Sequence, residues 1–239
     1  MNCLRSLKYI KKIDKKYKKY GLKTIIIHPP EWNFEKQSSN ILEAAIKYKI
    51  KIPIIIDKDE WIIKKLNVDF WPTQILIKEN KILYRHIGEG NYQGLEKSIM
   101  KNLSVKSKKE FAHEPRYSKF PTIYCGKKKK GKIRNLNNKL KFGVIYIDNN
   151  WIQKNEFIQS LNNNAKLSIK TKGKKINFIA ESLSGNPVKT FIKINNKKSK
   201  TISINKPQLY SIIKLNNNKE NILNIITNKN IAIYSFSFQ

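Results

Sequence analysis

The chain has 239 residues, 40% of them hydrophobic, which suffices for one large domain or two ordinary ones and excludes wholesale disorder. Its formal net charge of +32 raises the question of nucleic-acid binding, yet only four of the 49 basic residues are arginine, the side chain that phosphate and base recognition favours. Lysine occurs together with isoleucine and asparagine along the whole chain. A drift of the genome towards A/T-rich codons explains this pattern more economically, so the composition argues against nucleic acid as a partner.

Cysteine and histidine are too few for a disulfide scaffold or a zinc site. The two cysteines, Cys3 and Cys125, lie far apart, and His28, His86 and His113 are isolated from one another. We therefore expect neither a metal nor a cofactor. No apolar run has the length of a membrane span, and we recognise no export signal, so the location is unknown from the chain itself.

The first predicted element is an amphipathic helix over residues 3–20. Apolar Leu4 and Leu7 begin a series at helical spacing, and Gly21 is a helix stop signal. Cys3 would open this helix, where the positive end of the helix dipole favours the thiolate form of a cysteine. Taken alone this is a weak signal, since a single cysteine near a terminus is usually just a small apolar residue.

Strands and helices alternate after this helix. Short β-branched runs predict strands, and Ser39 is placed to cap a helix that has one apolar face. The predicted strands cover residues 24–28, 52–56, 73–77 and 81–87, and the predicted helices cover residues 39–48, 59–66 and 92–103. This order predicts an α/β domain with a mixed sheet over residues 1–103.

The character of the sequence changes after Leu103. Residues 104–120 are polar and charged with little periodicity, which predicts a linker. From residue 121 onwards helical periodicity disappears, and short apolar or alternating runs are separated by Asn, Lys and Gly clusters. The runs cover residues 144–147, 167–171, 176–181, 190–194, 199–204, 208–215, 221–227 and 232–238. Eight short strands at this spacing predict an antiparallel, all-β sandwich over residues 121–239.

Five short segments of the first region carry a resemblance to a known family. They are residues 2–7 around Cys3, 28–35 (His-Pro-Pro-Glu-Trp-Asn-Phe-Glu), 52–57, 71–73 (Trp-Pro-Thr) and 88–92 (Gly-Glu-Gly-Asn-Tyr). In this order they are similar to motifs of the thioredoxin-like domain of TlpA- and DipZ-type thiol–disulfide oxidoreductases. More loosely, the second region resembles the tail of DipZ-type proteins, a carbohydrate-binding-like jelly roll, at residues 122–126, 151, 209–210 and 234–238.

The resemblance implies thiol–disulfide exchange on protein cysteines, in envelope redox balance or cytochrome c maturation. It implies that Cys3 is the resolving cysteine, and that Trp71, Pro72 and Thr73 form a cis-proline loop that binds the substrate backbone. Protein thiols and disulfides are the implied partners, with a membrane electron-transfer protein and a glycan on the β-sandwich as further candidates. The implied location is periplasmic or otherwise extracytoplasmic.

Two further groups of residues have a functional and a structural interpretation. Glu31 and Glu89 could steer protons or fix loops near the thiol, although glutamates more often cap turns or pair with surface lysines. Tyr146, Trp151 and Tyr210 could form a sugar-stacking face, although aromatic side chains on alternating strands are more often core. The sequence favours the structural interpretation of both groups.

The alignment with the family also predicts a truncated N-terminus. It puts the attacking cysteine immediately before Met1 and removes the strand that leads to it, so the strands at 24–28 and 73–77 should flank an unfilled central position. Either the true start lies upstream or the gene has decayed, and the sequence leaves both open. Two function hypotheses follow: a thiol–disulfide oxidoreductase that is inactive without its attacking cysteine, and a redox-dead module that binds a polypeptide or a glycan.

Overall fold

The computed structural model describes residues 2–106, 121–173, 175–195, 198–214 and 220–238. The chain divides into two units, Met1–Arg116 and Tyr117–Gln239. Most of the predicted linker, residues 107–120, lies outside the described residues. No helix in the described ranges is both long and apolar enough to cross a membrane.

The first unit alternates helices with strands in the predicted order. Its helices are α1 (Asn2–Tyr17), α2 (Ser38–Lys47), α3 (Trp61–Lys65) and α4 (Tyr92–Asn102). Its strands are β1 (Ile26–His28), β2 (Ile54–Ile56), β3 (Thr73–Lys78) and β4 (Lys81–Ile87). Short 3₁₀ helices cover Lys18–Tyr20 and Asn33–Lys36. Each helix and strand predicted for this region is present, and only the bounds differ.

The first helix ends at the predicted glycine. The 3₁₀ turn that continues α1 closes at Gly21, whose φ of 98° is left-handed and whose N–H donates to the carbonyl of Lys18 at 3.1 Å. One face of α1 is buried through Ile13 and Tyr17, which belong to one hydrophobic cluster with Leu95 of α4. The C-terminal half of α1 is therefore packed against α4.

The second helix begins without the expected cap. Its first residue is Ser38, the N-cap position is Gln37, and no side chain makes a capping hydrogen bond there. The prediction that Ser39 caps this helix is therefore wrong, because Ser39 lies inside the first turn and not at the cap position. Instead, the side-chain amide of Asn40 donates to the carbonyl of Phe34 at 2.7 Å, which ties α2 to the preceding 3₁₀ turn.

The four strands of the first unit form two separate pairs. β1 and β2 are parallel, and β3 and β4 form an antiparallel hairpin. The hairpin turns through Glu79 and Asn80, whose φ values of 49° and 61° are both left-handed, as a tight two-residue turn requires. Within the described residues no ladder of hydrogen bonds joins the two pairs, so the four strands do not form one continuous sheet. That the strands at 24–28 and 73–77 flank an unfilled central position of a mixed sheet stays a prediction.

The second unit consists of strands, with no helix among its described residues. The strands are β5 (Ile123–Tyr124), β6 (Ile133–Asn135), β7 (Ile145–Ile147), β8 (Trp151–Gln153), β9 (Ile158–Ser160), β10 (Ala165–Lys172), β11 (Lys175–Ser182), β12 (Val188–Ile194), β13 (Lys198–Ile204), β14 (Gln208–Lys214), β15 (Glu220–Thr227) and β16 (Ile231–Phe238). The sequence predicts β7 and β10 to β16. It misses β5, β6, β8 and β9, which have two or three residues each and lie in no apolar run as long as the one at 144–147 that predicts β7.

These strands form two sheets over a common core. One sheet has the order β13-β12-β15-β10-β7-β6, and the other has the order β14-β11-β16-β9-β8 with β5 paired to β16. The pairings are antiparallel except that of β6 with β7. Leu167 and Ile225 from the first sheet and Phe178 and Phe236 from the second lie in one buried cluster. The unit is therefore a sandwich of two mostly antiparallel sheets.

Candidate thiol site

Cys3 lies in the first turn of α1 and is exposed to solvent. Its pKa is nevertheless raised to about 11, first because the surrounding protein desolvates the thiolate. The amino-terminal charge lowers this pKa, while the carboxylates of Glu31 and Glu35 add to the rise. The residue as a whole is exposed, but protein atoms around the sulfur disfavour its charged form, so the thiol is protonated at neutral pH. Desolvation therefore outweighs the helix dipole, which by itself favours the thiolate form of Cys3.

Glu35 is the second titratable group of this site. Its Oε2 accepts hydrogen bonds from the backbone N–H groups of Glu31 at 2.6 Å and Trp32 at 3.4 Å. Burial raises the pKa of Glu35 to about 7 despite these two bonds. The Nε2 atom of His28 lies 3.9 Å from the same oxygen, and desolvation lowers the pKa of this imidazole. Cys3 therefore has in its electrostatic surroundings a carboxyl group that changes its charge near neutral pH.

Sequence analysis did not single out Glu35. The signal that could have found it is its spacing from Trp32, since a glutamate three residues after a helix cap can close a capping box. That signal is weak here because tryptophan is not a preferred capping residue. The predicted Glu31 contributes its backbone N–H to Glu35 and its charge to the field at Cys3.

Trp71, Pro72 and Thr73, here called the 71–73 loop, lead into β3, and all three are partly buried. The peptide bond between Trp71 and Pro72 is cis. The hydroxyl of Thr73 donates to the carbonyl of Phe70 at 2.5 Å, and the N–H of Gly88 donates to the carbonyl of Pro72 at 2.8 Å. Hydrogen bonds therefore fix the loop on both sides of the proline.

Residues 88–92, here called the 88–92 turn, bind the start of α1. The carboxylate of Glu89 accepts from Arg5 Nε at 2.7 Å and from Arg5 Nη2 at 2.5 Å. The buried hydroxyl of Tyr92 donates to Ser6 Oγ at 2.8 Å. The predicted supporting residue Glu89 thus pairs with an arginine of the helix that carries the thiol, and not with a surface lysine.

The same turn also holds the start of β3. Its Gly88 N–H makes the bond to Pro72, and the carbonyl of Gly90 accepts from the buried side-chain amide of Gln74 at 3.1 Å. The 88–92 turn therefore connects the 71–73 loop with the part of α1 that contains Cys3. The sequence placed these three segments in one family motif set, and the structure shows the hydrogen bonds that join them.

Other candidate residues lie outside this site. Cys125 is fully buried in the core of the second unit and is a free thiol. Tyr146 and Trp151 are core residues, and Tyr210 packs against the same core. These three aromatic side chains therefore take the structural role that the sequence favours. Across the part of the chain that is described, no group of three or more His, Cys, Asp or Glu residues could hold a metal.

An open cleft of about 490 Å³ lies on the second unit, between the loops that follow β9, β11 and β15, and its lining is more apolar than polar. Its lining includes the amides of Asn163, Asn228 and Asn230 and the lysines Lys189 and Lys229. The loops are joined to each other, since Asn163 Oδ1 accepts from the N–H of Lys229 at 3.2 Å. Amide groups and amines without a carboxylate in the described lining suit a ligand with hydroxyl groups.

The chain is similar to several known proteins. Residues 126–238 match the family model described as Thioredoxin like C-terminal domain. The chain is 26% identical over 153 residues to Protein SUPPRESSOR OF QUENCHING 1, chloroplastic, of Arabidopsis thaliana, an alignment that covers 59% of this chain and 14% of that protein. It is 31% identical over 106 residues to Protein DipZ of Mycobacterium tuberculosis, covering 44% and 15% of the two chains. It is also 31% identical over 105 residues to Thiol-disulfide oxidoreductase ResA of Bacillus cereus, covering 41% and 55%.

These matches support the thioredoxin-like family. The chain spans 14% and 15% of the length of the plant and mycobacterial relatives, so it corresponds to a small part of each. A relative named as a thiol–disulfide oxidoreductase supports a redox-type function at the level of the family.

Proposed function

We propose that the first unit is a thioredoxin-like thiol–disulfide exchange module that acts on protein cysteines, with Cys3 as its resolving cysteine. The observation that carries this proposal is the connection of the Cys3 end of α1 with the 71–73 loop through the 88–92 turn. Such an arrangement suits a thiol held near a surface that receives an extended polypeptide. The similarity to DipZ and to ResA supports the same class of chemistry.

The protonation state of Cys3 supports the resolving role. An attacking thiol has to be a thiolate at neutral pH, whereas a resolving thiol can stay protonated until the mixed disulfide has formed. With its pKa raised to about 11, Cys3 belongs to the second type. In the resolving step it loses its proton, its sulfur bonds to the attacking cysteine's sulfur, and the substrate leaves as a thiolate.

The 71–73 loop is the proposed substrate surface. A polypeptide lying across it would meet partly buried Trp71 and its neighbour Phe70, whose side chain is 68% exposed. An exposed phenylalanine beside the loop offers apolar contact to an unfolded segment of a substrate. Thr73 and Pro72 hold the loop in place through their bonds to Phe70 and Gly88.

The proposal extends to fold type, compartment and partner. We assign the first unit to the thioredoxin-like α/β type and the second to the jelly-roll type with a carbohydrate-binding-like role. Disulfides form and persist outside the reducing cytosol, so we place the module in an extracytoplasmic compartment, with a membrane electron-transfer protein as its source of electrons. Envelope redox balance and cytochrome c maturation are the processes that such a module serves.

An insulin-type disulfide reduction assay tests this function. It compares the chain with a variant that carries a strand-forming extension ending in a cysteine directly before Met1, which gives two cysteines separated by two residues. We expect negligible turnover from the chain itself and an increase by orders of magnitude in the extended variant. Adding Cys3→Ser to the extended variant should abolish multiple turnover and let mixed disulfide accumulate, whereas Cys125→Ala should not. Turnover by the unextended chain that survives Cys3→Ser would overturn the proposal.

The alternative is a redox-dead module that binds a polypeptide or a glycan. Of these two ligands, the asparagine side chains in the cleft of the second unit favour a glycan. Calorimetric titration with a series of neutral oligosaccharides tests it, with Asn228→Ala as the variant that should lose binding. If both Asn228→Ala and Asn163→Ala still bind the oligosaccharide, the cleft is not the binding site.

A further inference from the structure

Arg5 and Glu89 form a bidentate ion pair between the first turns of α1 and the 88–92 turn. Arg5 donates from Nε and Nη2 to the two carboxylate oxygens, at 2.7 Å and 2.5 Å, and the Glu89 side chain is only 7% exposed. Arg5 Nη2 also donates to Asn2 Oδ1 at 2.8 Å. The guanidinium therefore ties the residue before Cys3 to the 88–92 turn, and its two parallel bonds to Glu89 fix orientation as well as distance.

The carboxylate partner sits on a segment that is itself fixed. Gly88 donates to the carbonyl of Pro72, and Gly90 accepts from buried Gln74, so Glu89 has a hydrogen-bonded neighbour on each side. A displacement of Glu89 would therefore move the 71–73 loop relative to the helix start. Because the pair is largely buried, solvent screens it less than an exposed ion pair.

We propose that Arg5 and Glu89 are a positioning pair that holds Cys3 at a fixed place relative to the 71–73 loop. Neither residue touches the sulfur in the proposed reaction, and both act through the first turn of α1. The inference rests on the proposed function, since only an exchange reaction needs a fixed distance between Cys3 and the 71–73 loop. The geometry itself can be tested on the thiol of Cys3 without any turnover.

A positional role and a purely electrostatic role predict different behaviour of the thiol. The charged groups that face Cys3 are the carboxylates of Glu31 and Glu35 and the amino-terminal charge. If the pair acted on the thiol only through its charges, neutralising Glu89 would lower the Cys3 pKa and neutralising Arg5 would raise it. A positional effect has one sign, because breaking the pair from either side loosens the first turn, admits water to the thiol and lowers its pKa in both cases.

The test is the rate of alkylation of Cys3 by iodoacetamide in the full chain, followed by peptide mass spectrometry between about pH 7 and pH 10, with buried Cys125 as internal reference. We expect Glu89→Gln and Arg5→Met each to raise the rate at pH 8 by roughly 3- to 10-fold, since a pKa lower by one unit gives about tenfold more thiolate of somewhat lower nucleophilicity. Arg5→Lys should also raise it, because lysine keeps the charge and loses the fork. The charge-exchanged variant Arg5→Glu with Glu89→Arg should restore most of the slow rate.

Two control variants separate positioning from general stability. Tyr17→Phe loosens the same helix at its other end, roughly 21 Å away at 1.5 Å per residue, and should leave the alkylation rate unchanged. Glu60→Gln removes an exposed carboxylate that pairs with Lys64, and it should also have no effect. Opposite changes in Glu89→Gln and Arg5→Met, or an equal rise in Tyr17→Phe, would overturn the proposal.

The charge-exchanged variant decides the outcome if circular dichroism shows that a single variant does not fold. Restored folding with a slow rate supports the positioning pair, and restored folding with a fast rate contradicts it. If the alkylation rates are as expected but the extended variant is inactive, the positioning pair is supported and the proposed function is ruled out. The two proposals can therefore fail separately.

Discussion

Glu35 carries more protons in the folded protein than in the unfolded chain, because burial raises its pKa from 4.5 to about 7. Its contribution to stability is therefore fully present below about pH 4.5 and is lost as the pH rises through 7. A shift of this size corresponds to about 3 kcal/mol of unfolding free energy at most. Burial lowers the pKa of His28, so this residue makes the unfolding free energy rise with pH over part of the same range. The contribution of Glu35 is therefore measured by comparing the parent chain with a variant at residue 35.

We expect Glu35→Gln to remove this loss of stability. Glutamine keeps an acceptor oxygen for the N–H groups of Glu31 and Trp32 but has no charge to desolvate. Relative to the parent chain, the variant should gain up to about 3 kcal/mol in unfolding free energy between about pH 4.5 and pH 7.5. Urea denaturation at both pH values measures the gain, and Glu43→Gln, an exposed carboxylate on α2, serves as control. An equal gain in the control would contradict the explanation.

At the scale of elements, a buried polar contact joins α1 to α4. Tyr17 and Glu96 are both fully buried, and the tyrosine hydroxyl donates to Glu96 Oε1 at 2.6 Å. Lys16 Nζ approaches the same oxygen at 3.0 Å. The contact lies next to the apolar cluster of these two helices, so it anchors the C-terminal end of α1 on α4. A buried carboxylate depends on such partners, because an unpaired one is strongly destabilising.

Tyr17→Phe should lower the unfolding free energy of the first unit by about 1–3 kcal/mol, because it deletes a buried hydrogen bond to a charged group and leaves the volume unchanged. Tyr20→Phe is the matched control. That tyrosine lies on the same segment but is 42% exposed, and its loss of a hydroxyl should change stability by less than about 0.5 kcal/mol. Thermal unfolding measures both, and equal effects would mean that the Tyr17 hydroxyl has no special role.

At the scale of the whole molecule, the described residues of the two units bury apolar surface very differently. The second unit has one cluster that includes residues of both sheets. In the first unit α2 has no buried residue, and large apolar side chains such as Leu42, Ile46, Trp61 and Phe70 are exposed. Because burial of apolar surface is the main favourable term in folding, the second unit should be the more stable one.

Urea should therefore unfold the chain in two steps, the first unit before the second. Three of the four tryptophans lie in the first unit, so Trp151→Phe makes tryptophan fluorescence a reporter of that unit alone. We expect its midpoint at a lower urea concentration than the loss of β-sheet signal in far-UV circular dichroism. Coincident midpoints would show that the two units unfold as one.

Local patterns in the sequence determined most of the secondary structure of both units. The amphipathic stretch before Gly21, the hairpin of β3 and β4 and the long strands β10 to β16 each depend on the periodicity of neighbouring residues, which the sequence displays directly. β5, β6, β8 and β9 escaped prediction because these short strands lie in no apolar run as long as the one that predicts β7. The motif segments likewise indicated where the candidate site lies, since they share one order with the family.

Only the tertiary structure decided the chemistry of that site. The high pKa of Cys3 and the near-neutral pKa of Glu35 come from desolvation, which depends on how segments distant in sequence pack around each group. The pairing of Arg5 with Glu89 joins residues 84 positions apart, and nothing in the local sequence of either one specifies its partner. A helix start by itself favours the thiolate form of a cysteine, and the protein packed around that helix start outweighs this effect.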